Sequence, residues 1–166
     1  CMVSVLLAGL PRPAAAVDPA VDAAKKARLL LTLTRFAQWP GTPAPGEPLR
    51  LCVAQRSEPV LRSMLALQGQ SVNGRAVVVQ QKAPWDNCHV LYIHASAEGG
   101  DALPKSLADN ATLTVGDAAG FINQGGMVQL LMANDALRFD VDLGAVHRAR
   151  LGLSSQAMNL ARRVRN

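Results

Sequence analysis

The side chains able to do chemistry in this chain are few, and their spacing limits what they can do. Cys88 and His89 are neighbours, an arrangement that invites a thiolate activated by an imidazole. That chemistry needs nucleophile and base side by side in space. The run CHVLYIHA around them is dense in strand formers, and adjacent side chains of a strand point to opposite faces. His89 is therefore a poor activator of Cys88. The same alternation separates the ligands of a zinc site drawn from Cys52, Cys88, His89 and His94, and neither CxxC nor HxxxH spacing is present. No Ser-His-Asp order with a nucleophile elbow is found. The expectation is a chain with no catalytic residues, no metal ligands and no cofactor.

Three other groups carry charge or turn chemistry. Gly116-Asp117-Ala118-Ala119-Gly120 follows a strand-like run, as a phosphate-binding turn would. It lacks GxGxxG and the GK[ST] end of a P-loop, so Asp117 reads as the N-cap of a helical turn over 118–123. Asp140 and Asp142 share one strand face by period two and read as the solvent side of an edge strand. His147, Arg148 and Arg150 sit at the expected start of a final helix, where the macrodipole disfavours cations; Arg162, Arg163 and Arg165 sit at its expected end, where cations are favoured. The first three, with Arg35 near the end of the first expected helix, are the candidates for an acidic partner or an anionic ligand.

The elements that must position these groups follow from periodicity. A helix is expected over 18–38, ended by Pro40, which disfavours helical geometry at Trp39. A turn-rich loop, a strand over 49–54 and a short helix over 58–67 with Ser57 as N-cap come next. Asn73-Gly74 is a strong turn signal. Strands are expected over 75–80, 90–94, 112–116, 127–132 and 137–143, and a helix over 101–108. Val146, Ala149, Leu153, Ala157, Leu160 and Val164 recur at steps of three and four, the apolar face of one amphipathic C-terminal helix. The alternation favours an α/β fold: one layered domain with a mostly parallel sheet flanked by helices. The last two strands, joined around Asn134-Asp135, suggest an antiparallel edge hairpin.

Composition sets the outer limits. The chain has 166 residues, 49% of them hydrophobic and 17% charged, which is globular and long enough for one buried core. A net charge of +5 is basic, yet aromatics are only 4% and the cations are scattered, so nucleic acid is not an expected partner. Residues 2–16 read as the apolar region and small-residue cleavage site of a secretory signal. They are taken as a partial signal peptide over 1–16, with the domain proper over 17–166. Cys1 marks a truncated start or a lipidated residue. Beyond the signal two cysteines remain, Cys52 and Cys88. An even count in an exported chain invites a disulfide, and neighbouring strands would bring the two within bridging reach.

The chain resembles the YfiR family of small exported bacterial proteins. The matching pieces are Phe36-Ala37 with Trp39-Pro40, Leu51-Cys52-Val53, Gly74-Arg75, and Cys88-His89-Val90-Leu91-Tyr92-Ile93. They continue with Leu113-Thr114-Val115, Asp117, Phe121, Gly125-Gly126-Met127, Arg138-Phe139-Asp140-Val141, and Gly152-Leu153-Ser154-Ser155-Gln156 with Leu160-Ala161. They span roughly residues 29–164. Asp142 departs from the family pattern, which has an amide-bearing residue there. The resemblance implies a Cys52–Cys88 bridge and a periplasmic negative regulator. Such a protein binds the periplasmic domain of an inner-membrane diguanylate cyclase and lowers cyclic di-GMP output, favouring the planktonic state over biofilm. An outer-membrane lipoprotein that sequesters the repressor is the second implied partner, and a homodimer is left open. The alternative is a periplasmic small-ligand sensor with its pocket at the carboxyl ends of the parallel strands.

Overall fold

The computed structural model of the chain describes residues 18–97, 107 and 110–166. The signal-like segment 1–16 and, Leu107 apart, the helix expected over 101–108 lie outside the described residues. The chain opens with helix α1 (Pro19–Phe36). Asp18 caps it, its carboxylate accepting from the Ala20 N–H at 2.8 Å, and Pro19 occupies the first turn, where its missing N–H costs nothing. Strands β1 (Ala37–Gln38) and β2 (Leu49–Ala54), helix α2 (Glu58–Leu65), and strands β3 (Ser71–Val72) and β4 (Arg75–Gln80) follow. Then come β5 (Val90–Ile93), β6 (Leu113–Gly116), a 3-10 turn (Phe121–Gln124), β7 (Val128–Ala133) and β8 (Ala136–Asp142). The chain closes with α3 (Leu143–Arg148), β9 (Gly152–Leu153), α4 (Ser155–Leu160) and β10 (Arg163–Arg165).

Eight strands form one sheet in the order β10-β8-β7-β6-β5-β2-β4-β3, and β1 pairs with β9 in a separate antiparallel ribbon. From β4 through β2, β5 and β6 to β7 every neighbouring pair is parallel. The central strands β5 and β6 are buried at every position, as strands covered on both faces must be. One side of the sheet packs Leu51, Val53, Val90, Tyr92, Val115 and Val128 against Ala23, Ala27, Leu30 and Leu33 of α1, with Val60 and Met64 of α2 beside them. A smaller cluster holds Cys52, Cys88, Leu91, Ile93, Leu107 and Phe121. The Phe121 ring lies between two glycines: a Cβ on Gly116 would fall 2.5 Å from it and one on Gly126 2.2 Å. Those positions admit no side chain while the ring stays in place.

Four expectations are corrected. The single C-terminal helix does not exist. Its apolar spacing is met instead by α3, β9, α4 and β10, broken at Arg150, which takes φ +59°, and restarted at Ser154, whose hydroxyl accepts from the Ala157 N–H. Val146, Ala149 and Ala157 are buried as the spacing implied, but Leu160 and Val164 are exposed. Second, Asp140 and Asp142 are not a solvent face: both are buried. Arg162 Nε donates to Asp140 at 2.8 Å and Arg165 Nη2 to Asp142 at 2.7 Å. Buried carboxylates require such partners, and supplying them draws residues 163–165 into a strand parallel to β8. Third, the β7–β8 hairpin turns at Asn134 and Asp135, both left-handed, yet it is not the sheet edge, because β10 covers β8. The antiparallel edge hairpin is β3–β4, turning at Asn73-Gly74. Fourth, Ser57 precedes α2 without a side-chain capping bond.

Candidate functional site

A cavity of about 460 Å³ opens at the amino ends of β2, β4, β5 and β6. Its walls come from distant segments: Trp39 after α1, Glu47 from the following loop, Arg50 of β2, Arg75 of β4, His89 before β5, and Asn110 to Thr112 before β6. The side chains are tied together. Trp39 Nε1 donates to the His89 carbonyl at 3.1 Å, and the two rings meet edge to face with centroids 6.0 Å apart. Arg75 donates through Nε to the Glu47 carbonyl (3.1 Å) and through Nη2 to the Pro48 carbonyl (2.9 Å) and the Glu47 carboxylate (3.3 Å).

His89 is the pivot of this wall. Its Nδ1 accepts from the Arg50 N–H at 3.0 Å, so a neutral ring carries its proton on Nε2. Burial, and then the charge of Arg75, hold the imidazole below its ordinary value, which favours that neutral form. Nε2 stands 2.8 Å from Arg75 Nη2, so two donors face each other. The acceptor near both is Glu47 Oε1, 3.3 Å from Arg75 and 3.5 Å from His89. Arg50 lines the same space, and its guanidinium makes no hydrogen bond or ion pair among the described residues. The cavity therefore presents more fixed donors than its own acceptors satisfy at short range. That is recognition chemistry for an anion.

At the other end of the parallel strands lies a closed network. Asp117, buried, accepts from the Ala95 N–H (2.6 Å) and the Tyr92 hydroxyl (2.9 Å), and pairs with Lys26 (2.8 Å). Lys26 also pairs with Asp22 at 2.7 Å. His94 Nε2 reaches Asp117 at 3.4 Å while its Nδ1 accepts from the Ser96 N–H at 3.1 Å. Burial, followed by the adjacent Asp117, pushes the Tyr92 phenol well above its usual range. Burial holds His94 below the imidazole value. Asp117 is thus no N-cap, as the sequence suggested; Gly120 occupies that place before the 3-10 turn. The carboxylate fastens α1 to the sheet.

The remaining candidates are placed as follows. Cys52 and Cys88 form a disulfide with Cα atoms 5.8 Å apart, joining β2 to the segment entering β5. With its sulfur in that bond, Cys88 is no free thiol for His89 to activate. Arg35, His147, Arg148 and Arg150 are all exposed. His147 and Arg148 lie in the last turn of α3, not at a helix start, so the macrodipole favours them. The β1–β9 register, Ala37 opposite Leu153 and Gln38 opposite Gly152, puts Arg35 beyond one end of the ribbon and Arg150 beyond the other. The structure does not gather the four into one patch. Among the described residues no three histidine, cysteine or acidic side chains converge as a metal site. No helix among them is long and apolar enough to cross a membrane.

Sequence reasoning passed over Trp39, Glu47, Arg50 and Arg75 as site residues. Trp39 and Arg75 stood only among the pieces of the family resemblance, and those pieces meet at this cavity. The model of the YfiR/HmsC-like family matches residues 23–162. The chain belongs to that family. No curated protein matches it in sequence. Membership suggests a periplasmic regulator of cyclic di-GMP signalling rather than a catalyst.

Proposed function

We propose that this YfiR/HmsC-like protein is a periplasmic negative regulator that binds the periplasmic domain of an inner-membrane diguanylate cyclase and lowers its cyclic di-GMP output. The family match over 23–162 carries this reading. The disulfide agrees with an oxidising compartment. Mechanistically, the regulator would bind one state of a two-state receptor better than the other and shift its population accordingly. An outer-membrane lipoprotein that sequesters the regulator would reverse the effect.

For the docking surface we retain the exposed cations of the α3 end, Arg148 with His147 and Arg150. Their complement would be an acidic patch on the cyclase, and Arg35 would belong to a separate contact. The test is titration of the purified protein against the cyclase's periplasmic domain, with Arg148→Glu/Arg150→Glu beside the wild type. Saturable binding is expected, weakened in the variant by about 1.5–3 kcal/mol, with circular dichroism showing that the variant is folded. No binding by the wild type refutes the function. Unchanged affinity in the folded variant removes this surface.

A further inference from the structure

We propose that the cavity at the amino ends of the parallel strands is a binding site for a small organic oxyanion. Arg50, Arg75 and His89 would hold the anionic group, and its body would lie against Trp39. This goes beyond cyclase binding and does not depend on it. Three observations carry it. Arg75 Nη2 and His89 Nε2 are donors 2.8 Å apart, an arrangement that an oxygen accepting from both would relieve. The Arg50 guanidinium lines the cavity with no hydrogen bond or ion pair among the described residues. Glu47 Oε1 already lies near both donors, but at 3.3 and 3.5 Å, longer than the roughly 2.7–2.9 Å of a good charge-assisted bond.

Glu47 is thus an internal stand-in for the ligand. Its carboxylate stays partly exposed, and it sits in a loop flanked by Gly41 and Gly46, both left-handed. Its Oε2 also accepts from the Ala44 N–H at 3.1 Å within the same loop, so displacing it costs that bond but none in the sheet. Asp86 also lines the cavity but is exposed, so water screens its repulsion of an anion. His89 donates through Nε2 while neutral, so binding does not require protonation of the ring. The volume, about 460 Å³, is that of a small-molecule site. A carboxylate and a phosphate monoester share the required chemistry.

The experiment titrates the purified full chain separately with benzoate and with phenyl phosphate, reading tryptophan fluorescence and heat. The chain has two tryptophans, so a Trp85→Phe background isolates Trp39 as reporter. Saturable binding of at least one probe is expected. Arg50→Gln should weaken it about tenfold or more with the fold retained by circular dichroism, because the Arg50 guanidinium makes no hydrogen bond or ion pair among the described residues. Glu47→Gln should strengthen it, because the stand-in charge is removed. Preference for benzoate assigns the site to carboxylates, preference for phenyl phosphate to phosphate esters. No saturable response from either probe, or unaltered binding in Arg50→Gln, overturns the proposal. Weaker binding in Glu47→Gln overturns the stand-in role and makes Glu47 a ligand-holding residue instead.

Discussion

Reducing the Cys52–Cys88 bridge should remove a large part of the stability of this domain. The bridge closes a segment with a sequence separation of 36 residues, which contains α2, β3 and β4. In the chain-entropy treatment a loop of that length restricts the unfolded state by about 3.8 kcal/mol at 25 °C. Domains of this size are stable by only about 5–15 kcal/mol. Both sulfurs are buried, with Leu91, Ile93 and Phe121 in the same cluster. Reduction leaves their volume in place, so comparing oxidised with reduced wild type isolates the cross-link from packing. With a urea slope of about 2 kcal/mol per M, the midpoint should fall by about 1.9 M on reduction. Cys52→Ala/Cys88→Ala should fall further, because each truncation also leaves a small void. Urea unfolding followed by circular dichroism, with and without reductant, measures both. A reduced midpoint within about 0.3 M of the oxidised one would refute the reasoning, since it would mean that the β2–β5 pairing alone restrains the chain.

Two further outcomes are expected. Asp117→Asn should destabilise the fold by about 1–3 kcal/mol, because it leaves one of two donors, Ala95 N–H or Tyr92 hydroxyl, without its acceptor and reduces Lys26 to its Asp22 partner alone; a urea midpoint equal to wild type would show that α1 is not held there. Stability should also fall on acidification below the imidazole range. His89 and His94 are both held under the ordinary value of 6.5, so between their folded and unfolded values the unfolded chain binds more protons. The stability they contribute is therefore complete above about pH 6.5 and is lost as pH falls below it. For His89 the loss comes from burial and from the charges of Arg75 and Arg50, with Glu47 working the other way; for His94 it comes from burial and Lys26, with Asp117 and Asp22 working the other way. Thermal midpoints across that range in wild type, His89→Gln and His94→Gln measure it, and a midpoint that rises on acidification would contradict the sign.

The parts of this fold legible in the sequence are those decided locally. Strands β2, β4, β5, β6, β7 and β8 lie within a residue or two of their expected places, because continuous apolar runs bounded by Gly and Asn turns have few other solutions. The turns at Asn73-Gly74 and Asn134-Asp135 adopt the left-handed geometry that those residue types tolerate. What escaped is decided at a distance. Asp117 has the position of a cap, yet Lys26 and Tyr92, 91 and 25 residues away, compete for its carboxylate and win. The C-terminal segment has the spacing of a helix, yet Asp140 and Asp142 must be paired, and extended backbone brings Arg162 and Arg165 to them. The cavity is the extreme case. Glu47, Arg50, Arg75 and His89 share no spacing at all; parallel pairing of β2 with β4 and β5 brings their segments to one end of the sheet.

The β1–β9 pairing puts the cavity and the retained docking cations on one continuous path. Trp39 lines the cavity and holds the His89 carbonyl. The two residues before it, Ala37 and Gln38, pair with Leu153 and Gly152 of β9. The Gln38 side chain lies so near Gly152 that a Cβ there would come within 3.0 Å of it. Two residues before Gly152 is Arg150, at the left-handed turn that ends the α3 segment. A ligand in the cavity can alter partner binding only if it favours one of two states that the partner distinguishes, and the coupling must then act in both directions. A backbone shift at Trp39 would reach the β1–β9 ribbon first, because the tryptophan directly follows β1 in the chain. The ribbon is therefore the shortest route by which an oxyanion site and a cyclase surface at Arg148 and Arg150 would be linked, a segment of only a few residues.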